Sequence, residues 1–213
     1  MINLGSVFIL GDSYSTFQDH IPNGYHSWYF SKEQECTDVN FVEETWWMQL
    51  LSSTNSKLVQ NNSFSGTTVC NTCRPALSVD TSFIERFDKL ANDGFFDVNP
   101  VDTFFIFGGT NDSYIDVPLG ELMYEDFNKE DLLAFFPAFC YLISRIKAVL
   151  PKTKIVALIN TEIKEEIIEG IKKACKHFSV DCIQLRNIGK QAGHPNKAGM
   201  THIKDQIIEY LSK

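Results

Sequence analysis

Short apolar runs separated by stretches of helical periodicity restrict this chain to a narrow set of folds. Val7–Leu10, Lys57–Gln60, Thr103–Phe107, Lys154–Ile159 and Val180–Leu185 read as strands. The run Thr103-Phe-Phe-Ile-Phe107 has no polar face, as expected of a strand covered on both sides. Between the runs, apolar residues recur three or four apart: Phe83, Phe87 and Leu90 in Thr81–Leu90, then Ile163, Ile167, Ile171 and Cys175, then Met200, Ile203, Ile207 and Leu211. Thr45–Ser52 reads as a helix with Glu43 and Glu44 at its positive end. Leu132–Leu150 reads as a long helix ended by Pro151, and Pro137 inside it predicts a kink or a break into two helices. Strands alternating with helices imply a parallel sheet with right-handed crossovers and helices on both faces.

At 213 residues and 44% hydrophobic composition, the chain can bury a substantial core, and residues 1–213 read as one domain. The net charge of −8, with no Lys/Arg block, argues against a nucleic-acid binder or a polybasic membrane anchor and favours a neutral or weakly charged ligand. Val7–Leu10 is far short of the ~20 residues of a membrane helix, and no basic segment precedes it. No signal peptide or membrane span is therefore expected, and the chain as given is expected to be cytoplasmic. Cys140, Cys175 and Cys182 fall within helix or strand patterns, as buried thiols do. Cys70-Asn71-Thr72-Cys73 has the spacing of a redox pair, but no second pair completes a zinc site, so no metal is expected.

Two connections are long, from about Ser13 to Val42 and from about Gly108 to Asn128. Loops of that length in a compact domain are usually functional. Both leave the C-terminal end of a strand, where ligands bind in open α/β sheets. Three motifs fall on the same edge. Gly11-Asp12-Ser13 follows the first strand. A serine there can present its hydroxyl above the sheet, but it needs a base and an oxyanion stabiliser to act as a nucleophile. In isolation it reads first as a turn or a helix cap, and the Gly-x-Ser-x-Gly elbow is not matched because residue 15 is Ser. Gly108-Gly109-Thr110-Asn111-Asp112 follows the third strand, where the Asn111 amide can point into the cleft as a donor. It also reads as a plain turn, and no Gly-Lys-Ser/Thr follows as a phosphate loop requires. His194-Pro195-Asn196 follows the fifth strand. Pro195 suits the first helical position and puts His194 at the helix start, where the positive end keeps imidazole neutral and able to accept a proton. His177 and His202 fit a helix end and a helix face, whereas His20 and His26 lie in the first long loop within reach of a substrate.

GDS, GTND and HPN, in that order and each after its own strand, resemble the SGNH (GDSL-type) hydrolase superfamily, and they span Gly11 to Gly199. Asn62-Ser63-Phe64-Ser65-Gly66-Thr67 supplies the remaining signature, a glycine after the second strand, at Gly66. The resemblance implies a flavodoxin-like three-layer α/β/α sandwich on a five-stranded parallel sheet, with strand one between strands two and three. That order would bring Ser13, Gly66 and Asn111 together. It also implies Ser13 as nucleophile, the Ser13 and Gly66 N–H groups and the Asn111 amide as oxyanion hole, and His194 as general base, with no cofactor and no metal. One position departs from the pattern. Family members usually carry Asp three residues before the histidine; here that residue is Gln191. A glutamine can orient the ring but brings no charge. The alternatives are a Ser–His dyad held by a backbone carbonyl or Gln191, a substitute carboxylate with Glu162 the best placed, or a poor catalyst. Asp181 lies at the wrong end of its strand.

The expected activity is serine ester hydrolysis through an acyl-enzyme, on a small-molecule ester. The first loop and following helix hold Phe17, Tyr25, Trp28, Tyr29, Phe30, Phe41, Trp46 and Trp47, and the second loop holds Tyr114, Tyr124 and Phe127. These aromatics read either as packing beneath the loops or as a platform for a sugar ring. Polar neighbours (Asp19, His20, Asn23, His26, Asp116) favour removal of a small acyl group such as acetyl from a carbohydrate or other polar alcohol. A lysophospholipase or acyl thioesterase is the alternative, and a non-catalytic ligand-binding module on the same fold is a second. A flavin binder of the flavodoxin type is distinguished by its yellow colour.

Overall fold

Each apolar run pairs with its neighbours in parallel. The computed structural model describes residues 2–213. Strands β1 (Ser6–Gly11), β2 (Lys57–Ser63), β3 (Thr103–Phe107), β4 (Lys154–Ile159) and β5 (Asp181–Gln184) form one sheet in the order β2-β1-β3-β4-β5. Gly11 at the end of β1 pairs with Ser63 of β2 on one side and Phe107 of β3 on the other. The C-terminal ends of these three strands therefore lie side by side.

The helices are α1 (Trp46–Thr54), α2 (Phe83–Asn92), α3 (Phe95–Val98), α4 (Thr110–Tyr114), α5 (Phe135–Val149), α6 (Glu165–Phe178) and α7 (Lys197–Leu211). In β3, Phe104 and Ile106 join the core beneath α2, α5 and α6, whereas Phe105 and Phe107 join the core beneath α1 and α7. The period-two alternation of strand side chains thus feeds both faces. It explains why all five residues of β3 are buried. Together the helix layers and the sheet make the three-layer sandwich. Among the described residues no helix is long and apolar enough to cross a membrane, and all six cysteines are free thiols.

Local chemistry sets the helix ends. The Thr45 hydroxyl accepts the Met48 N–H at 3.3 Å to start α1, and Asn55 closes it in a left-handed conformation. Ser82 caps α2 by accepting the Glu85 N–H at 3.2 Å. The long helix expected over Leu132–Leu150 breaks before its proline. A 3-10 turn at Asp131–Leu133 runs into extended Ala134, and α5 starts at Phe135. Pro137 therefore sits in the first helical turn, where a missing N–H loses no intrahelical bond. Three further elements carry no periodicity in the sequence: α3, α4 and a small antiparallel hairpin, β6 (Lys190–Gln191) and β7 (His194–Pro195). Pro195 belongs to that hairpin, Asn196 is the cap, and α7 starts at Lys197. Pro195 is thus not the first helical residue, and His194 lies on the hairpin rather than at the helix start.

Candidate active site

Ser13 stands on a tight turn just past β1. Asp12 makes the turn: its Oδ1 accepts the Tyr14 N–H at 3.0 Å, and its carbonyl accepts the Ser15 N–H at 3.1 Å. The far side of the turn is clamped. The Ser15 carbonyl accepts from Trp47 Nε1 at 3.0 Å and from Asn61 Nδ2 at 2.7 Å, and the Ser15 hydroxyl accepts from Trp46 Nε1 at 3.2 Å. The tandem tryptophans of α1 are therefore core residues that also lock the turn carrying Ser13.

Asn111 lies in α4, and Asp112 beside it reaches across to the segment after Gly66. The Asp112 carboxylate accepts the Val69 N–H at 3.0 Å and the Cys70 N–H at 3.3 Å. Asn111 Nδ2 donates to the Thr67 carbonyl at 2.9 Å, and its Oδ1 accepts from Arg74 Nη2 at 2.9 Å. Thr67 offers only an acceptor there and Arg74 only donors, so the two ends of the amide are assigned by their partners. The backbone N–H groups of Ser13 and Gly66 donate to nothing among the described residues. Ser13, Asn111, Arg74 and His194 line one cleft of about 320 Å³. Gly66 borders it through Arg74, whose Cδ would lie 3.8 Å from a Cβ at Gly66.

His194 arrives on the β6–β7 hairpin. The two-residue turn, Ala192-Gly193, has φ of +47° and +77°, as a tight hairpin of this hand requires. His194 Nε2 lies 2.9 Å from Ser13 Oγ, and Nδ1 lies 3.2 Å from the Ala192 carbonyl. The carbonyl is the partner of Nδ1, not Gln191 or Glu162. Gln191 turns away and donates to the Glu35 carbonyl at 3.0 Å. Glu162 is 76% exposed and pairs with Lys190 at 3.0 Å, so it does not reach the ring. A carbonyl accepts but never donates, which places the proton on Nδ1 and leaves the Nε2 lone pair facing Ser13.

Trp28 stacks on the imidazole, with centroids 3.6 Å apart and planes 11° from parallel. Tyr14 flanks it at 5.2 Å and donates its hydroxyl to the Gly193 carbonyl at 2.7 Å. Burial pushes His194 down to about 4; the charges of Lys190 and Arg74 act in the same direction, and the Ala192 carbonyl opposes them. The neutral ring expected from the helix end is thus produced chiefly by burial.

Three buried charges lie beneath the site. The Arg86 guanidinium donates to the Asn62 carbonyl, to Asn62 Oδ1 at 2.8 Å, to the Gly11 carbonyl at 3.1 Å and to Thr67 Oγ1 at 3.2 Å. It fastens the ends of β1 and β2 to the loop behind Gly66. Burial pushes the Asp12 carboxyl up to about 7 and Asp112 up to about 6, and pushes Arg86 down to about 10. Among the described residues no group of three or more His, Cys, Asp or Glu side chains is placed to hold a metal ion.

Of the loop aromatics, Phe17, Tyr29, Trp46 and Trp47 are core. Trp28 covers His194, and Tyr114, 78% exposed, lines the cleft with Arg74 over its ring at 5.0 Å. His20 packs near Phe17 and Trp47, and His26 packs on Phe64; neither lines the cleft. Arg74 was missed in the sequence because it lies in an aperiodic segment between Gly66 and α2 that carries no motif.

A family model for GDSL-like lipases/acylhydrolases matches residues 5–211. A crystal structure described as that of a GDSL-like lipase from Bacteroides ovatus is 40% identical, covers 99% of each chain and superposes with a TM-score of 0.90. Another so described, from Bacteroides uniformis, is 38% identical over 98% of this chain and 95% of that one, with a TM-score of 0.88. An acetyl xylan esterase from the rumen bacterium Butyrivibrio proteoclasticus shares the fold at 14% identity and a TM-score of 0.58, over 99% of this chain and 64% of that one. No curated protein matches the sequence.

Proposed function

The chain belongs to the GDSL-like lipase/acylhydrolase family, and from that membership we propose that it is a serine ester hydrolase that removes a small acyl group, such as acetyl, from a carbohydrate or other polar alcohol. The observation that carries this reading is an imidazole with Nε2 2.9 Å from Ser13 Oγ and Nδ1 against a carbonyl. His194 takes the hydroxyl proton as Ser13 Oγ bonds to the ester carbonyl carbon. The oxyanion faces the N–H groups of Ser13 and Gly66 and the second Nδ2 hydrogen of Asn111. His194 then passes the proton to the departing alcohol oxygen, leaving an acyl group on Ser13. Water, deprotonated by His194, attacks that acyl group; the Ser13 Oγ–acyl bond breaks, His194 returns the proton to Ser13 Oγ, and the acid leaves. The imidazolium formed at each step has no carboxylate on Nδ1, so the developing oxyanion is its main counter-charge. The three donors therefore matter more here; one such donor is worth about 3 kcal/mol.

A cleft of about 320 Å³ is at the small end for ligand sites, which supports a short acyl group. The test is stoichiometric labelling by a fluorophosphonate together with acetate release from acetylated polyols, with Ser13→Ala as control. Labelling and release, both abolished in Ser13→Ala, are expected. Neither reaction in the wild type overturns the reading. Rates that climb with acyl chain length point instead to a lysophospholipase or thioesterase. The missing carboxylate favours one second reading, a non-catalytic ester-binding module, which would bind acetylated polyols without label or turnover.

A further inference from the structure

The cleft is locally cationic in a chain whose net charge is −8. Its lining contains Arg74 and no carboxylate. An adjoining pocket of about 190 Å³ shares Tyr14, Tyr114 and Gly193 with it and adds Lys190 and Glu162. Those two residues pair with each other at 3.0 Å, so Arg74 is the charge left over. Among the described residues Arg74 forms no ion pair.

Arg74 is also held in place. One Nη2 hydrogen goes to Asn111 Oδ1 at 2.9 Å, and the guanidinium lies over the Tyr114 ring at 5.0 Å. Its Nε is closed off from solvent without an acceptor, so the donors open to a ligand are those of Nη1 and the second Nη2 hydrogen. A planar donor fork that is pre-positioned, partly desolvated and without a counter-ion matches an oxyanion in both shape and charge. A wholly neutral substrate would leave that charge unmatched. The net charge of the chain argues for a neutral ester; the lining of this cleft argues the reverse.

We propose that Arg74 forms an anion subsite beside Ser13, and that the ester substrate carries a carboxylate on its alcohol portion, as an acylated uronic acid or other hydroxy acid does. The assignment rests on the ester-hydrolase reading for its reaction. Ser13 and Arg74 line the same cleft, and with a small acyl group the alcohol is the part of the substrate left to carry the carboxylate.

The experiment compares kcat/KM for para-acetoxybenzoate and para-acetoxybenzamide in the wild type, Arg74→Met and Arg74→Lys, with thermal melts to verify folding. Arg74→Met should lower the benzoate-to-benzamide ratio about tenfold, the scale of a lost charge-assisted hydrogen bond, and Arg74→Lys should lower it less. Added salt should lower the wild-type ratio. Any loss transmitted through Asn111 slows both esters alike and cancels in the ratio. A ratio that Arg74→Met leaves unchanged overturns the proposal. Binding supplies a second arm. Ser13→Ala should bind para-acetoxybenzoate more tightly than the benzamide by calorimetry, and adding Arg74→Met should erase the difference. Equal affinities in Ser13→Ala overturn the anion subsite. Selective binding with no turnover of either ester by the wild type overturns the hydrolase reading and leaves the subsite standing.

Discussion

Trp28 and the Ala192 carbonyl divide between them what one carboxylate usually does for a histidine. The carbonyl selects the tautomer, and Trp28 holds the ring and keeps water off it. The carbonyl favours imidazolium only as a neutral acceptor, without a carboxylate's charge, and burial outweighs it. Below about 4, His194 holds a proton and cannot accept one from Ser13, so kcat/KM should fall through that pH on the acid side. Trp28→Ala admits water to the ring, which should move its pKa towards the ordinary value of about 6.5 and carry the acid limb upward by roughly a pH unit or more. A pH–rate profile reads this directly; a limb that stays put shows that Trp28 is not the source of the desolvation. The same shift makes His194 a liability to folding in acid. Between about 6.5 and about 4 the unfolded ring binds a proton and the folded one does not, so its contribution to stability falls as pH falls through that window. Ser13, Asn111 and His194 stood out in the sequence because side-chain identity marks them, and Gly66 because the family resemblance asks for a glycine after the second strand. The Ala192 carbonyl has no such mark, since every residue carries one, and Trp28 was one aromatic among many.

At the scale of elements, the position of His194 depends on how the β6–β7 hairpin sits against α7. The Gly189 carbonyl accepts the Asn196 N–H at 3.0 Å, and Asn196 Oδ1 accepts the Gly199 N–H at 2.9 Å. A Cβ at Gly199 would collide with the Gly189 backbone, and backbone cannot rotate aside as a side chain can. Gly199→Ala gains up to about 1 kcal/mol of helix propensity, but the overpacking should dominate and destabilise the protein by about 1–3 kcal/mol net. Because the collision displaces the hairpin, kcat should fall more than KM rises. Chemical denaturation and steady-state kinetics together check both statements. The hairpin escaped the sequence reading because two-residue strands are too short to show a period. β3 and β4 were readable to the residue because burial makes them continuously apolar. β2 was cut short for the opposite reason. Its last residues, Asn61, Asn62 and Ser63, are polar and yet buried. Asn61 clamps the Ser15 carbonyl and Asn62 receives Arg86, so the chemistry of the site hides the strand.

For the whole molecule, the acids beneath the site set how stability responds to pH. Burial raises Asp12 to about 7 and Asp112 to about 6. Between about 4, where an unfolded aspartate titrates, and those values, the folded state binds protons that the unfolded state does not. Their contribution is therefore complete at low pH and is lost as pH rises through that window. Asp12→Asn removes one share of the loss. Its Tm relative to the wild type should climb from about pH 4 to about pH 7, as the wild-type carboxylate is forced to ionise in a dry site, and then level off. An offset independent of pH would show that Asp12 is not the group responsible. The sheet order also bears on assembly. β2, β1 and β3 all precede the 120–128 stretch, whereas β4 and β5 follow it. One cut there divides the sheet between β3 and β4 and leaves two uninterrupted half-sheets. Ser13, Gly66 and Asn111 stay on one piece and His194 goes with the other. On the proposed ester-hydrolase reading each half lacks part of the reaction, so ester turnover by the cut protein should require that two fused partners hold the halves together.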